Sequence, residues 1–364
     1  MNQISGLNLS ELFYQQVVKP IMLRFFPEIK YACARMGRGS EVLGYDDSVS
    51  TDHDFGPCVQ LFLPEDNFKT VAAEIMSVMD THLPESFQGF SVKYPNGCRP
   101  VNSPDLYPEM LGSWHGVELY TLSMWSRMYL QTDLTRGLET LQWLNYSEQF
   151  LLLITAGKVF HDDTGELTAF RQKFAYFPQQ VWLYKIAAQW GKIAEERAYI
   201  GRADSVNDRL GATIIAVRMA ENIMRLAMLT EQVYVPYPKW FGTCFSTLVC
   251  AAELSPLLER ILTAKDQHTR EESINNACLF VANLQVEKQI PGAIAPEMTS
   301  VHHREFTFVD SLKLEHSIAA AITDDELKQL PEFGAVDQFI SSNQILAVPN
   351  YCQALSVIYK TPLY

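Results

Sequence analysis

The chain has 364 residues, 48% of them hydrophobic and 20% charged, which is enough for two domains and excludes a disordered polypeptide. A formal net charge of -13 argues against broad capture of nucleic acid, which needs clustered Lys and Arg. A nucleotide stays open, because a metal ion can screen phosphates locally.

Residues 8–26 repeat apolar side chains at helical spacing, with Asn8 or Ser10 as N-cap and Pro20 as a kink or break. Y-A-C-A-R-M (31–36) reads as a short strand that delivers the turn Gly37-Arg38-Gly39-Ser40. Ser40 to Leu43 can start a helix, which Gly44 interrupts. The next strand is expected from about Asp54 to Leu63, ended by Pro64. Residues 65–80 have helical periodicity and an acidic first turn, which suits the helix dipole. F-S-V-K-Y (90–94) and G-V-E-L-Y-T-L (116–122) read as strands, separated by a loop rich in Pro, Asn and Gly.

Beyond about residue 124 the period becomes helical, over 146–160, 166–175, 179–199, 208–232, 242–263, 269–285, 309–321 and 324–330. The expected fold is therefore α+β in residues 1–124, a mixed sheet flanked by helices, followed by an all-α helical domain in 125–364. The seven Cys are scattered with no C-x-x-C, which points to reduced buried thiols rather than zinc or disulfides. The N-terminus lacks a basic leader and an apolar signal core, and no stretch is long and apolar enough to span a bilayer. A cytoplasmic protein is the expectation.

The chemistry concentrates between Met36 and Leu63. Alternate residues of a strand share a side, so Asp52 and Asp54 would project together if their segment is extended. Two carboxylates on one side, after a glycine-serine turn, can hold a divalent metal and a nucleotide's phosphates. The competing account is a polar surface loop, since D-D-S-V-S-T-D-H-D has loop composition. His53 turns the other way and reads as structural.

Gly39-Ser40 followed by Asp-x-Asp resembles the signature of the nucleotidyltransferase superfamily, which includes polymerase beta and the aminoglycoside nucleotidyltransferases. The longer string G-S-E-V-L-G-Y-D-D-S-V-S-T-D-H-D-F-G-P resembles an uncharacterised bacterial family that fuses such a domain to a helical C-terminal domain. H-G-V-E-L-Y-T-L (115–122), Y-P-K-W-F-G-T (237–243) and G-A-V-D-Q-F (334–339) agree with it.

The resemblance implies Mg²⁺-dependent transfer of a nucleoside monophosphate from a nucleoside triphosphate to a hydroxyl acceptor, a small molecule or a protein. It implies Asp52 and Asp54 as metal ligands, with Glu118 as the third carboxylate, ligand or general base. Gly39 and Ser40 would meet the phosphates, helped by the following helix N-terminus. Lys239, in the proline-stiffened Y-V-P-Y-P-K-W-F-G, would bind the triphosphate from the helical domain. Arg209, Arg218 and Arg225 are possible partners there, although Arg218, Glu221 and Arg225 also suit an intrahelical salt-bridge row.

A second reading, of another class, is a catalytically inactive nucleotide-binding sensor. Asp46 and Asp47 read as loop-shaping, Asp337 as a helix cap in preference to a substrate contact, and Trp182, Tyr184 and Trp190 as core. A solvent-facing Glu on an edge strand is the competing account of Glu118.

Overall fold

The structure, a computed structural model, describes residues 4–47, 55–93, 115–300 and 307–361. It is a mixed α/β chain that divides into two compact units. One comprises residues 1–137 and 150–175, the other 138–149 and 176–364. The units are thus divided differently from the expected break at 124/125. A strand near residue 160 returns to the N-terminal sheet, so residues 150–175 belong with the first unit.

That sheet contains β1 (Ala32–Arg35), β2 (Val59–Phe62), β5 (Val117–Tyr120) and β6 (Lys158–Asp162), in the order β5-β2-β1-β6. A separate two-stranded ribbon pairs β3 (Ser86–Phe87) with β4 (Phe90–Ser91). β1 runs antiparallel to both β2 and β6, whereas β2 and β5 are parallel. One face of the sheet, with Cys33, Val59, Leu61, Val117 and Leu119, belongs to an apolar core with Phe13, Tyr14, Met22, Ile75 and Met79. By alternation the other face carries Ala34, Gln60, Phe62, Glu118 and Tyr120. Phe62 and Tyr120 meet Trp125 and Tyr129 from the helix Leu122–Leu130.

Several expectations shift in detail. The first helical run is Gly6–Phe13, capped by Ser5, then a π-turn Tyr14–Val18 and the helix Lys19–Phe25. Pro20 lacks the N–H a continuous α-helix would use, and the wider π-turn just before it lets the chain run on without a break. β2 begins at Val59 rather than near Asp54. Pro57 has no N–H for a ladder, and Gly56 and Pro57 form a bend. Residues 146–160 hold the helix Glu148–Thr155 and then β6, rather than one helix.

The second unit is mainly helical, built on Gln179–Glu196, Arg209–Thr230, Ala251–Thr263, Gln267–Glu287 and Ser311–Ala320. It is not all-α: β7 (Met298–Ser300) and β8 (Thr307–Val309) pair antiparallel. The helix Gln179–Glu196 buries residues around nearly its whole circumference, the mark of a central helix. Trp182, Tyr184 and Trp190 are buried in it, as core. Trp182 donates to the Leu229 carbonyl at 2.7 Å and Trp190 to Gln285 at 2.9 Å. Among the described residues no helix is long and apolar enough to cross a membrane, and the six described Cys are free and buried.

Candidate functional site

Strand directions bring three chain segments to one end of the first unit's sheet: the exit of β1, the entry to β2 and the start of β5. β1 runs into Met36 and the turn Gly37-Arg38-Gly39-Ser40. Gly39 has φ 132° and ψ 143°, a conformation open essentially to glycine alone, and a Cβ there would collide with the Glu41 carboxylate. Glu41 in turn pairs with the buried Arg35, whose guanidinium also donates to the Arg38 carbonyl at 3.3 Å. Burial acts to lower the Arg35 pKa, but Cys58, Glu41, Tyr129 and Glu118 outweigh it and hold the group above its ordinary value. The turn is therefore pinned from inside by a cation.

Ser40 is half-buried and opens a helix of only four residues, Ser40–Leu43, closed by Gly44 in the left-handed region. This start and stop follow the sequence expectation. The expected help from a helix N-terminus does not follow, because four residues build too little dipole. Asp46 shapes the loop, accepting from the Gly6 N–H at 2.7 Å.

Glu118 stands on the edge strand β5 but does not face solvent; it is 3% exposed. The residues beside it explain why. Gly116 lies against the Pro57 carbonyl, where any Cβ would collide, so β5 packs directly on the segment entering β2. In register, Glu118 pairs with Gln60. Gln60 Nε2 donates to Glu118 Oε2 at 3.2 Å, and the Tyr120 hydroxyl donates to the same oxygen at 3.3 Å. The same Nε2 donates to the Tyr129 hydroxyl at 3.2 Å, and Gln60 Oε1 accepts from the Met36 N–H at 3.1 Å. Gly39, Ser40 and Glu118 thus belong to one end of one sheet, with Gln60 between them. The sequence reading missed Gln60. Its signal was a lone amide inside the apolar run C-V-Q-L-F-L.

Asp52 and Asp54 lie outside the described residues, as does His53. Among the described residues no three His, Cys, Asp or Glu side chains gather as a metal-binding group. Of the three expected ligands only Glu118 is described. Its carboxylate is a hard oxygen donor of the type Mg²⁺ takes, so this member fits the ion.

Lys239 belongs to the second unit. It is exposed in the 3₁₀ turn Pro238–Trp240, with its ammonium 4.7 Å from the centre of the Trp240 ring. Of the expected helical arginine row, Arg225 pairs with Glu221 at 3.0 Å, whereas Arg218 pairs with Glu196.

Asp337 does not act as a helix cap. It is an arm of a buried cluster in the second unit, where Lys185 Nζ lies 3.0 Å from Asp337 and 3.0 Å from Glu148. Glu148 also accepts from the Val235 N–H at 2.7 Å, at the start of the segment that leads to Lys239. Burial pushes the Glu148 carboxyl up to about 7, with Asp337 adding to the rise and Lys185 opposing it. For Asp337, burial is outweighed by Lys185, and its carboxyl is held below the usual range.

A cavity of about 410 Å³ opens at the opposite end of the first unit's sheet, beside Tyr31, Phe62, Leu63, Thr121 and Phe170; Gly39, Ser40 and Glu118 do not line it.

A family model described as a domain of unknown function (DUF4037) matches residues 143–241, which include Glu148, Lys185 and Lys239. No curated protein matches the chain. Among solved structures, a nucleotidyltransferase-like protein from Exiguobacterium sibiricum is similar at 12% identity, with 75% of each chain covered and a TM-score of 0.31.

Proposed function

We propose that this chain transfers a nucleoside monophosphate from a nucleoside triphosphate to a hydroxyl acceptor, a small molecule or a protein side chain. The observation that carries the reading is the convergence of the Gly39-Ser40 turn, the entry to β2 and the buried Glu118 at one sheet end. In sequence, Asp52 and Asp54 precede Val59, the first residue of β2, by seven and five residues.

In this reading Asp52, Asp54 and Glu118 hold Mg²⁺, which when bound neutralises charge on the triphosphate and eases departure of pyrophosphate. Gly39 lets the backbone approach the phosphates, and Ser40 offers its hydroxyl and N–H. Lys239 supplies a further positive charge to the triphosphate. The net charge of -13 suits an acceptor that is cationic or neutral rather than a polyanion.

The test is release of pyrophosphate from ATP, CTP, GTP and UTP with Mg²⁺, offered hydroxyl acceptors of both kinds. Release that disappears in Asp52→Asn and Asp54→Asn supports the transferase. Mg²⁺-dependent nucleotide binding with no release would favour the sensor, and neither binding nor release would remove both.

A further inference from the structure

Gln60 takes no part in the chemistry proposed above, yet it is completely buried in the middle of a strand. A buried amide is costly unless its polar atoms are satisfied. Neighbouring positions on β2 are filled by Val59, Leu61 and Phe62, so an apolar side chain would suit this strand.

The amide is satisfied by three different segments. Met36, the residue that enters the glycine turn, donates its N–H to Oε1. A backbone N–H can only donate, which fixes the amide oxygen on that side and aims the NH₂ group the other way. There it donates to Glu118 and to Tyr129. Two hydrogen bonds, of 3.1 and 3.2 Å, therefore tie the start of the turn to the carboxylate across β2.

We propose that Gln60 is a positioning residue that fixes the Glu118 carboxylate relative to the Gly37–Ser40 turn. Its effect on turnover rests on the transferase reading; the bridge itself does not. If the turn meets phosphates and Glu118 helps hold the metal, their separation must be kept to within a fraction of an ångström. A misplacement of about 1 Å in such a site costs roughly a hundredfold in rate. Gln60 acts through its neighbours and touches no reacting atom.

The test is a double-mutant cycle of Gln60→Met, Glu118→Gln and the two combined. Methionine keeps the length of the side chain and loses both hydrogen-bonding ends. Unfolding midpoints in denaturant, without metal or nucleotide, form the first arm. The combined variant should lose less than the sum of the single losses, and additive losses would overturn the bridge. Turnover with Mg²⁺ and the preferred triphosphate forms the second arm.

Gln60→Met should lower kcat about ten- to hundredfold, with KM for the triphosphate moving by less than about threefold. In the Glu118→Gln background the same change should cost less than about threefold further. An equal loss of kcat in both backgrounds, or an unfolding effect with kcat untouched, would overturn the positioning role. If the wild-type chain turns over no triphosphate, the transferase reading fails, and the first arm still decides whether the bridge exists. Should Gln60→Met not fold, Gln60→Leu takes its place in the same cycle. Like methionine it is apolar and loses both hydrogen-bonding ends, so it neither accepts from Met36 nor donates to Glu118.

Discussion

Replacing Lys185 by methionine would remove the cation from the buried cluster while nearly preserving the space it fills. Lys185 is 0% exposed, 3.0 Å from each of two carboxylates and 4.6 Å from the Phe177 ring centre. Removing one partner of a buried ion pair costs about 3–5 kcal/mol, because the remaining charge is stranded. Here two carboxylates are stranded, and both can escape only by taking up protons. The folded variant would then hold up to two protons that its unfolded form has already released by neutrality, one more than the wild type, whose Glu148 keeps a proton up to about pH 7. More protons in the folded state means that stability falls as pH rises, by up to about 1.4 kcal/mol per pH unit for each proton.

Lys185→Met should therefore lose about 3–5 kcal/mol at pH 7, with a smaller loss near pH 5. For a unit of this size that is a drop in Tm of about 6–20 °C. Urea unfolding followed by circular dichroism at several pH values measures both effects. A loss below about 1 kcal/mol with no added pH slope would refute the reasoning, since it would mean that the carboxylates reach water without cost.

Glu148→Gln should flatten the wild-type pH dependence. Burial raises the Glu148 carboxyl from 4.5 to about 7, so the folded chain keeps a proton that the unfolded chain has lost, and stability falls as pH rises through that window. Urea midpoints at pH 5 and pH 7.5 should lie closer together in the variant than in the wild type; an unchanged gap contradicts the assignment. Gly39→Ala should cost about 1–3 kcal/mol in unfolding experiments, because its φ of 132° excludes a side chain and the new methyl displaces Glu41 from Arg35. A neutral effect would mean that the turn relaxes freely. Lys239→Ala should weaken triphosphate binding measured by calorimetry while leaving the unfolding midpoint in place, as its side chain is exposed. Unchanged affinity would leave Lys239 as a surface residue resting on Trp240.

The parts of this structure that were readable in advance are those set by local rules. The glycine turn, the four-residue helix it opens and the stop at Gly44 follow from backbone permissiveness within eight residues. The strand around Glu118 announces itself by β-forming residues. Its burial is another matter, since it depends on Gly116 lying against Pro57, a contact between distant segments. β6 was hidden because its pairing is equally remote: Ala32 meets Asp162, and the apolar spacing of the preceding helix continues into the strand's first residues.

Gln60 and Lys185 were each visible as a lone polar group in an apolar stretch, but their partners were not. Lys185 finds one acid 37 residues before it and another 152 residues after it, a separation on which helical spacing is silent. Asp337 was therefore taken for a cap. The strand expected from about Asp54 begins at Val59, because Pro57 in the intervening bend has no N–H for a ladder.

The most direct measurement is calorimetric titration of the full chain with a non-hydrolysable nucleoside triphosphate, with and without Mg²⁺. The wild type should bind only with Mg²⁺ present, and Asp52→Asn, Asp54→Asn and Glu118→Gln should each weaken that binding while remaining folded. Binding that is indifferent to Mg²⁺, or equal in all three variants, would contradict the account.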